Sequence, residues 1–577
     1  MSDIDSKIDM QFFTGRRWFV LCLFLIASFG LVFRIVQLQL LDKEFLQDRG
    51  DARYLRTVKI PAHRGVIEDR NGEPLAISTP ISTIACNPKK MVLDKSSWAD
   101  LAKALDMPFA MLEKMINRHA KRESIYLKRQ VSPELAEKVR GLEIPGVFEE
   151  KEYRRFYPAA DVAAHVVGFT GIDDKGQEGM ELAFDQMLQG EAGAKRVLRD
   201  LAGHTIENVE SVKIAEQGQN LTLSIDKRIQ YLAYRELTAA VLGHKAKSGS
   251  IVVMDAHSGE VLAMVNQPSY NPNNRYELKA EHYRNRAVTD VFEPGSTMKP
   301  LTVATALEVG EFKPGTMIDT RPGRYKVGRE LVRDIHNYGL IDVSTVIKKS
   351  SNVGVSKIAL TMEAETLWNT FQQVGLGTTS GIGFPGEVSG RLRDYSSWRN
   401  FEQATMSFGY GMSVTTLQLA QAYTVFANDG LMTMPSLLKV DEPEESVRVM
   451  SPKTARQVLE MMEGVVQDGT AKQAQILGYR VAGKTGTAHK TSSTSKGYEE
   501  NRYQSVFAGI VPVSNPRLVA VVMIDEPSQG EYYGGQVAAP AFARLMGETL
   551  RLMNISPDDI PAIEKANSDQ LVAGRRP

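Results

Sequence analysis

Cysteine is nearly absent: of 577 residues only Cys22 and Cys86 carry a thiol, and the first lies in an apolar run, so no intrachain disulfide framework braces the rest. With no adjacent histidine or second cysteine to activate it, Cys86 reads as a small packing residue. An excess of either charge is also missing. Lys plus Arg and Asp plus Glu stand at 69 each, which removes the basic field that nucleic acid binding needs. The nine histidines form no His-Glu-x-x-His and no cluster at ligand spacing, so no metal centre and no cofactor are expected.

What the chain has is length, one long apolar run and a change of texture part-way along. At 577 residues it exceeds what a single core usually organises. Residues 18–33 carry no charge, and after the single Arg34 the run continues to Leu41. At about 1.5 Å per residue it is long enough to cross a hydrocarbon core of about 30 Å. Arg34 costs roughly 2.5 to 3.5 kcal/mol at mid-bilayer, less if it snorkels or faces a partner helix. Arg16 and Arg17 precede the run and Asp42, Lys43 and Glu44 follow it, an asymmetry that puts the short N-terminus in the cytoplasm and the rest outside. No small-x-small cleavage site follows, so the run reads as an uncleaved signal anchor.

The expected organisation is a cytoplasmic tail (1–17), a transmembrane anchor (18–41), a mixed α/β, non-catalytic pedestal (42–218), a second domain (219–553) and a flexible tail (554–577). In the pedestal, residues 64–76 join paired charges to an Asn71-Gly72 hairpin turn, with Asp69 and Arg70 expected in surface or interdomain ion pairs. Residues 154–158 and 176–181 read as structural punctuation. In the second domain, 251–254 and 261–265 are apolar strands, as are 505–513 and 518–524. Between them helical periodicity runs over 298–307, 343–362, 415–426 and 452–465, and again over 541–553. Strands at both ends of a helical block predict an α/β (α+β) sandwich: an antiparallel sheet covered by helices.

Three segments carry chemistry. In Glu293-Pro294-Gly295-Ser296-Thr297-Met298-Lys299-Pro300, Pro-Gly precedes a helix start and sets Ser296 and Lys299 at i and i+3 on one face. A serine hydroxyl needs a base within reach, and a desolvated lysine with its pKa lowered to roughly 7 or 8 can serve. Alone the pair is common, and an N-cap serine beside a solvated lysine is the plainer account of it. The second segment is Ser350-Ser351-Asn352, at the end of an Ile/Val-rich helix. The third is Lys484-Thr485-Gly486-Thr487 in a strand, where glycine admits another backbone and the ammonium and hydroxyls suit a carboxylate. Residues 478–485 also match the phosphate-loop pattern letter for letter. That loop must open a helix, whereas 489–500 is polar and without helical periodicity.

Ser-x-x-Lys, Ser-x-Asn and Lys-Thr-Gly in this order form the set found in penicillin-binding proteins and serine β-lactamases. On these motifs, the 64–76 and 154–181 segments, Gly409-Tyr410-Gly411 and Tyr532-Tyr533-Gly534-Gly535, nearly the whole chain resembles the class B penicillin-binding proteins, in particular their division-specific transpeptidases of Gram-negative bacteria. The resemblance implies a penicillin-binding transpeptidase sandwich on a dimerisation-like pedestal, in the inner membrane with its catalytic domain periplasmic. It implies acyl transfer on D-Ala-D-Ala stem peptides of lipid-linked precursor strands, with Ser296 as nucleophile and Lys299 as base. Ser350 would relay protons and Asn352 hold the acyl-side amide. Lys484, Thr485 and Thr487 would bind the terminal carboxylate beside Gly486, and the N–H groups of Ser296 and Thr487 would form an oxyanion hole. Tyr410, Tyr532 and Tyr533 would border the site, though core packing accounts for them nearly as well. Ser351, where many β-lactamases carry Asp, is given no catalytic part. β-Lactams would trap Ser296. No Glu-x-x-Leu-Asn deacylating segment and no glycosyltransferase domain is present, so strand synthesis would fall to a partner, a division-site glycosyltransferase among other divisome proteins. A D,D-carboxypeptidase, or a division scaffold that binds β-lactams, would share the same motifs.

Overall fold

The computed structural model describes residues 5–45, 55–60, 62–93, 95–199, 205–275, 279–442, 446–491 and 497–563. Helix α1 (Asp5–Val36) runs on into a π-turn over Gln37–Leu41. Its apolar span, Gly15–Leu41, is long enough to cross a membrane and has none of its surface buried. Arg34, in the last turn of α1, donates to the Gln37 side chain at 2.8 Å, where a guanidinium can reach the interface.

The rest forms two compact units that are not linear in sequence. The smaller comprises Met1–Ala62, Pro80–Glu152 and Glu191–Glu216. It holds a three-stranded antiparallel sheet with Gly193–Arg199 between Leu55–Ile60 and Thr205–Lys213. A separate small core gathers Trp98, Leu101, Leu112 and Ile116 with Cys86. Burial pushes the Cys86 thiol up to about 12, so it stays protonated and unreactive, as a packing residue should.

The larger unit comprises His63–Thr79, Tyr153–Gly190 and Gln217–Pro577, so segments expected in a pedestal ending at residue 218 join the second domain. A buried charge cluster ties the two early segments to each other, and Asp69 and Arg70 tie them to the rest of the unit. Arg64 donates to Glu181 and Asp185, each at 2.7 Å, and Arg155 donates to the other Glu181 oxygen at 2.6 Å. Asp69 is not a surface ion-pair residue: it is buried and accepts the backbone N–H groups of Asn71, Glu73 and Lys227 at 2.8 to 3.0 Å. Arg70 does form an ion pair, with Glu260 at 3.0 Å.

The Lys227 N–H opens α2 (Lys227–Gly243), which packs on a five-stranded antiparallel sheet. Its strands are β1 (Ser248–Asp255), β2 (Val261–Gln267), β3 (Ala482–Thr491), β4 (Tyr498–Val511) and β5 (Leu518–Asp525), in the order β2-β1-β5-β4-β3. Every residue of β1, β2 and β5 is buried, which requires cover on both faces. In chain order the helices around it include α3 (Lys299–Val309), α4 (Val343–Lys349), α5 (Asn352–Ala359), α6 (Asn400–Met406), α7 (Thr416–Ala427), α8 (Pro452–Gln467) and α9 (Ala539–Leu552). α2 and α9 pack on each other and on the sheet, while α7 lies on β1, β4 and β5 and packs against α8. α7 is buried on all sides, the signature of a central helix.

Two further expectations are corrected. Residues 343–362 do not form one helix: α4 ends at Ser350, which is left-handed at φ +59°, and α5 restarts with the Ser351 hydroxyl accepting the Gly354 N–H at 2.8 Å. The 554–577 tail is in part firmly docked. Asp558 accepts the N–H of Arg480 at 2.7 Å and of Ser514 at 3.1 Å, and the Tyr479 hydroxyl donates to the Ile555 carbonyl at 2.7 Å; residues 564–577 lie outside the described residues.

Candidate active site

The turn that carries Ser296 is a 3-10 helix over Gly295–Met298 leading straight into α3. A 3-10 turn has three residues per turn and stacks i over i+3, so Ser296 sits above Lys299 more directly than an α-helix would place it. Ser296 is half-buried and its hydroxyl makes no hydrogen bond among the described residues. The turn is clamped from below by Tyr423 on α7, whose fully buried hydroxyl donates to the Thr297 carbonyl at 2.7 Å.

Lys299 is wholly buried, and its Nζ donates to the Ser350 carbonyl at 2.5 Å and to Ser350 Oγ at 3.0 Å. Lys484, equally buried in β3, donates to the same Ser350 Oγ at 3.0 Å. The left-handed backbone at Ser350 is what turns its hydroxyl between two lysines, a costly conformation for a residue with a β-carbon. Burial holds the Lys299 ammonium well below its ordinary value; Lys484 acts in the same direction and Asp334 opposes them. Burial alone draws Lys484 down to about 7. Two like charges sharing one hydroxyl in a dry site favour a state with one lysine neutral.

Asp334, unflagged by sequence, organises the Ser-x-Asn segment. Its carboxylate accepts the Ser351 hydroxyl at 2.5 Å, the Asn352 N–H at 2.5 Å and the Val353 N–H at 3.0 Å. The Asn352 side chain donates to the Arg333 carbonyl at 3.1 Å, which leaves its amide oxygen available.

The Lys-Thr-Gly strand lies against the serine turn because glycines allow it. Gly486 passes the turn at Pro294 and Thr297, Gly295 at φ +56° holds a backbone that side chains rarely adopt, and a β-carbon on Gly409 would stand only 2.3 Å from the Gly295 carbonyl oxygen. Gly295 donates its N–H to the Gly409 carbonyl at 3.2 Å, so the Gly-Tyr-Gly segment backs the serine turn. Thr487 Oγ accepts the Gly534 N–H at 3.0 Å and keeps its own proton to donate, whereas the Thr485 hydroxyl bonds Thr470 at 3.0 Å. No helix follows Lys484, which pairs with Ala508 mid-strand, so the phosphate-loop pattern has no structural counterpart.

The three tyrosines differ. Tyr410 is half-buried, 3.4 Å from the Thr487 carbonyl, and burial first, then Glu293, pushes its phenol up to about 12. Tyr532 stacks on Tyr503 with ring centroids 4.0 Å apart, and Tyr533 is exposed beside it. Glu293, missed in the sequence, accepts the Gly411 N–H at 2.9 Å and ties the serine turn to the Gly-Tyr-Gly segment. Nothing in the pattern distinguishes it or Tyr423, since each looks like an ordinary core-edge or core residue. Among the described residues no cluster of His, Cys, Asp and Glu could hold a metal.

Residues 249–547 match the penicillin binding protein transpeptidase domain, and residues 59–223 the penicillin-binding protein dimerisation domain. The chain is 42% identical over 560 residues to the peptidoglycan D,D-transpeptidase FtsI of Escherichia coli, covering 96% of this chain and 94% of that one. It is 42% identical over 549 residues to a probable peptidoglycan D,D-transpeptidase, PbpC, of Pseudomonas aeruginosa, covering 94% and 97%. Among solved structures, the transpeptidase domain of Burkholderia pseudomallei penicillin-binding protein 3 aligns at 44% identity and TM-score 0.54, over 58% of this chain and 97% of that one. Penicillin-binding protein 3 of Mycobacterium tuberculosis with aztreonam aligns at 27% identity and TM-score 0.69, over 87% and 98%.

Proposed function

Because the chain belongs to the penicillin-binding protein transpeptidase family, a serine-type peptidoglycan D,D-transpeptidase, we propose that Ser296 is the residue acylated and that Lys299, Ser350 and Lys484 manage its protons and the substrate's charge. Neutral Lys299 takes the Ser296 proton as Oγ attacks the carbonyl of the penultimate D-alanine. The N–H groups of Ser296 and Thr487 stabilise the oxyanion. Ser350 passes the proton to the leaving amine, the peptide bond breaks and D-alanine departs. An amine on a second stem then attacks the ester, its proton returning through the same groups to Ser296 Oγ. Lys484 and the Thr487 hydroxyl receive the terminal carboxylate, with Thr485 fixing the strand, and the Asn352 amide oxygen receives the acyl-side N–H. β-Lactams enter by the same first step. The observation that carries this reading is the single Ser350 Oγ lying 3.0 Å from both buried lysines, on an element adjoining the Ser296 turn.

The apolar N-terminal helix anchors the chain in a membrane. The charge asymmetry around it supports a cytoplasmic N-terminus and a periplasmic catalytic domain in the bacterial inner membrane. A partner glycosyltransferase and other division proteins complete the assembly on this reading. Labelling with a fluorescent penicillin tests it: one stable adduct per chain is expected, absent from Ser296→Ala and blocked in Lys299→Met. Normal labelling of the serine variant would end the assignment.

A further inference from the structure

A cleft of about 1370 Å³ opens beside Asn352. Its walls are the hairpin of Arg324–Val327 and Glu330–Arg333, helix α6 and Tyr410. No residue of the Lys-Thr-Gly strand lines it. It therefore extends from the side of the site where Asn352 would hold the acyl-side amide, away from where the terminal carboxylate would sit.

Its charge is one-sided. Arg329, Arg333, Arg393 and Arg399 face it, against Glu330 and Glu402. Arg399 and Glu402 satisfy each other through two bonds of 2.9 and 2.8 Å. The side chains of Arg329, Arg333 and Arg393 make no hydrogen bond or ion pair among the described residues. Arg393 is half-buried, so its unspent donors point from a partly dry wall. A planar guanidinium offers five N–H donors in a fork matched to a carboxylate, and a low-dielectric cleft of one sign concentrates anions.

We infer that this cleft is a subsite for the acyl-side stretch of the donor peptide, and that it selects donors with free internal carboxylates. The inference rests on the transpeptidase reading above. Arg393 and Arg333 would pair with carboxylates upstream of the scissile bond, and Arg329 would add field at the rim. A penicillin without a carboxylate on its acyl side should not depend on these arginines.

The test uses the full chain and two peptides ending in a D-alanyl thioglycolate, one with free internal carboxylates and one with the same groups amidated, followed by release of thiol. A fluorescent penicillin reports the acylation machinery separately. In Arg393→Gln, kcat/KM for the carboxylate peptide should fall about tenfold or more, while the amidated peptide and penicillin stay within about twofold. Arg333→Gln, on the exposed hairpin, should act in the same direction without touching the fold. Equal effects on both peptides, or none on either in both variants, overturn the subsite. A wild-type chain that takes penicillin but neither peptide overturns the underlying reading, and the subsite with it.

Discussion

Gly486 passes Pro294 so closely that a β-carbon on it would stand 2.7 Å from the Pro294 carbonyl oxygen and 3.0 Å from Thr297 Cγ2. The strand and the serine turn are thus held apart by hydrogen atoms alone. Gly486→Ala must push β3 away from Ser296, at a cost of about 1–3 kcal/mol for overpacking. Penicillin acylation should slow by more than tenfold with the circular dichroism spectrum unchanged; wild-type acylation would show that the approach is not needed.

Lys299 and Lys484 are both depressed by burial, Lys484 to about 7. On the proposed roles Lys299 must be neutral and Lys484 charged, so kcat/KM for a carboxylate-bearing β-lactam should peak and then decline as pH rises through about 7. Stability moves the other way. The unfolded chain binds the Lys484 proton up to about pH 10.4 while the folded chain has released it, so this contribution is lost as pH falls towards the folded pKa and regained as it rises. Lys484→Met should therefore gain most over wild type in thermal midpoint near neutral pH, the gap closing by about pH 10. A pH-independent gap would contradict the burial argument.

Asp334 accepts three donors from Ser351, Asn352 and Val353. Asn in its place offers one acceptor oxygen and no charge, leaving part of the α5 N-terminus unsatisfied at about 1–3 kcal/mol. Asp334→Asn should lower both the urea midpoint and the acylation rate, the latter by about tenfold through misplacement of Ser350 and Asn352. Loss of neither would remove Asp334 from the site's support.

Glu181 neutralises two buried arginines, Arg64 and Arg155. Glu181→Gln leaves Arg155 with no carboxylate partner in a dry interior and Arg64 with Asp185 alone, and removal of one partner from such a cluster costs about 3–5 kcal/mol. Equilibrium unfolding should report that loss, while the folded fraction still binds penicillin mole for mole. A stability change below about 1 kcal/mol would mean water reaches the cluster.

Much of this architecture was legible because repetition writes it. The all-apolar strands β1, β2 and β5 and the periodic α7, α8 and α9 repeat one preference over many residues, and the three motifs gain force from their order. Single-residue decisions made at a distance were not legible. The break at Ser350 looked like continuous helix because what fixes its neighbours, Asp334, lies on a remote hairpin. Asp69 looked like a surface charge because its partners are backbone N–H groups, which no sequence pattern marks. Tyr423 and Thr470 act through one hydroxyl each, and the cleft arginines are ordinary surface residues until the hairpin and α6 face each other.

The Ser350 hydroxyl is reached from position 299 on one side and position 484 on the other, and β3 is held in its sheet by β4, with β5 and α9 completing the packing. On the proposed topology and roles, a chain emerging across a membrane from its N-terminus would possess Ser296 long before it possesses a reactive serine. Penicillin reactivity then serves as a clock for maturation: a pulse of labelled drug would mark only molecules whose last helix has arrived, separating newly exported chains from finished enzyme in a living cell.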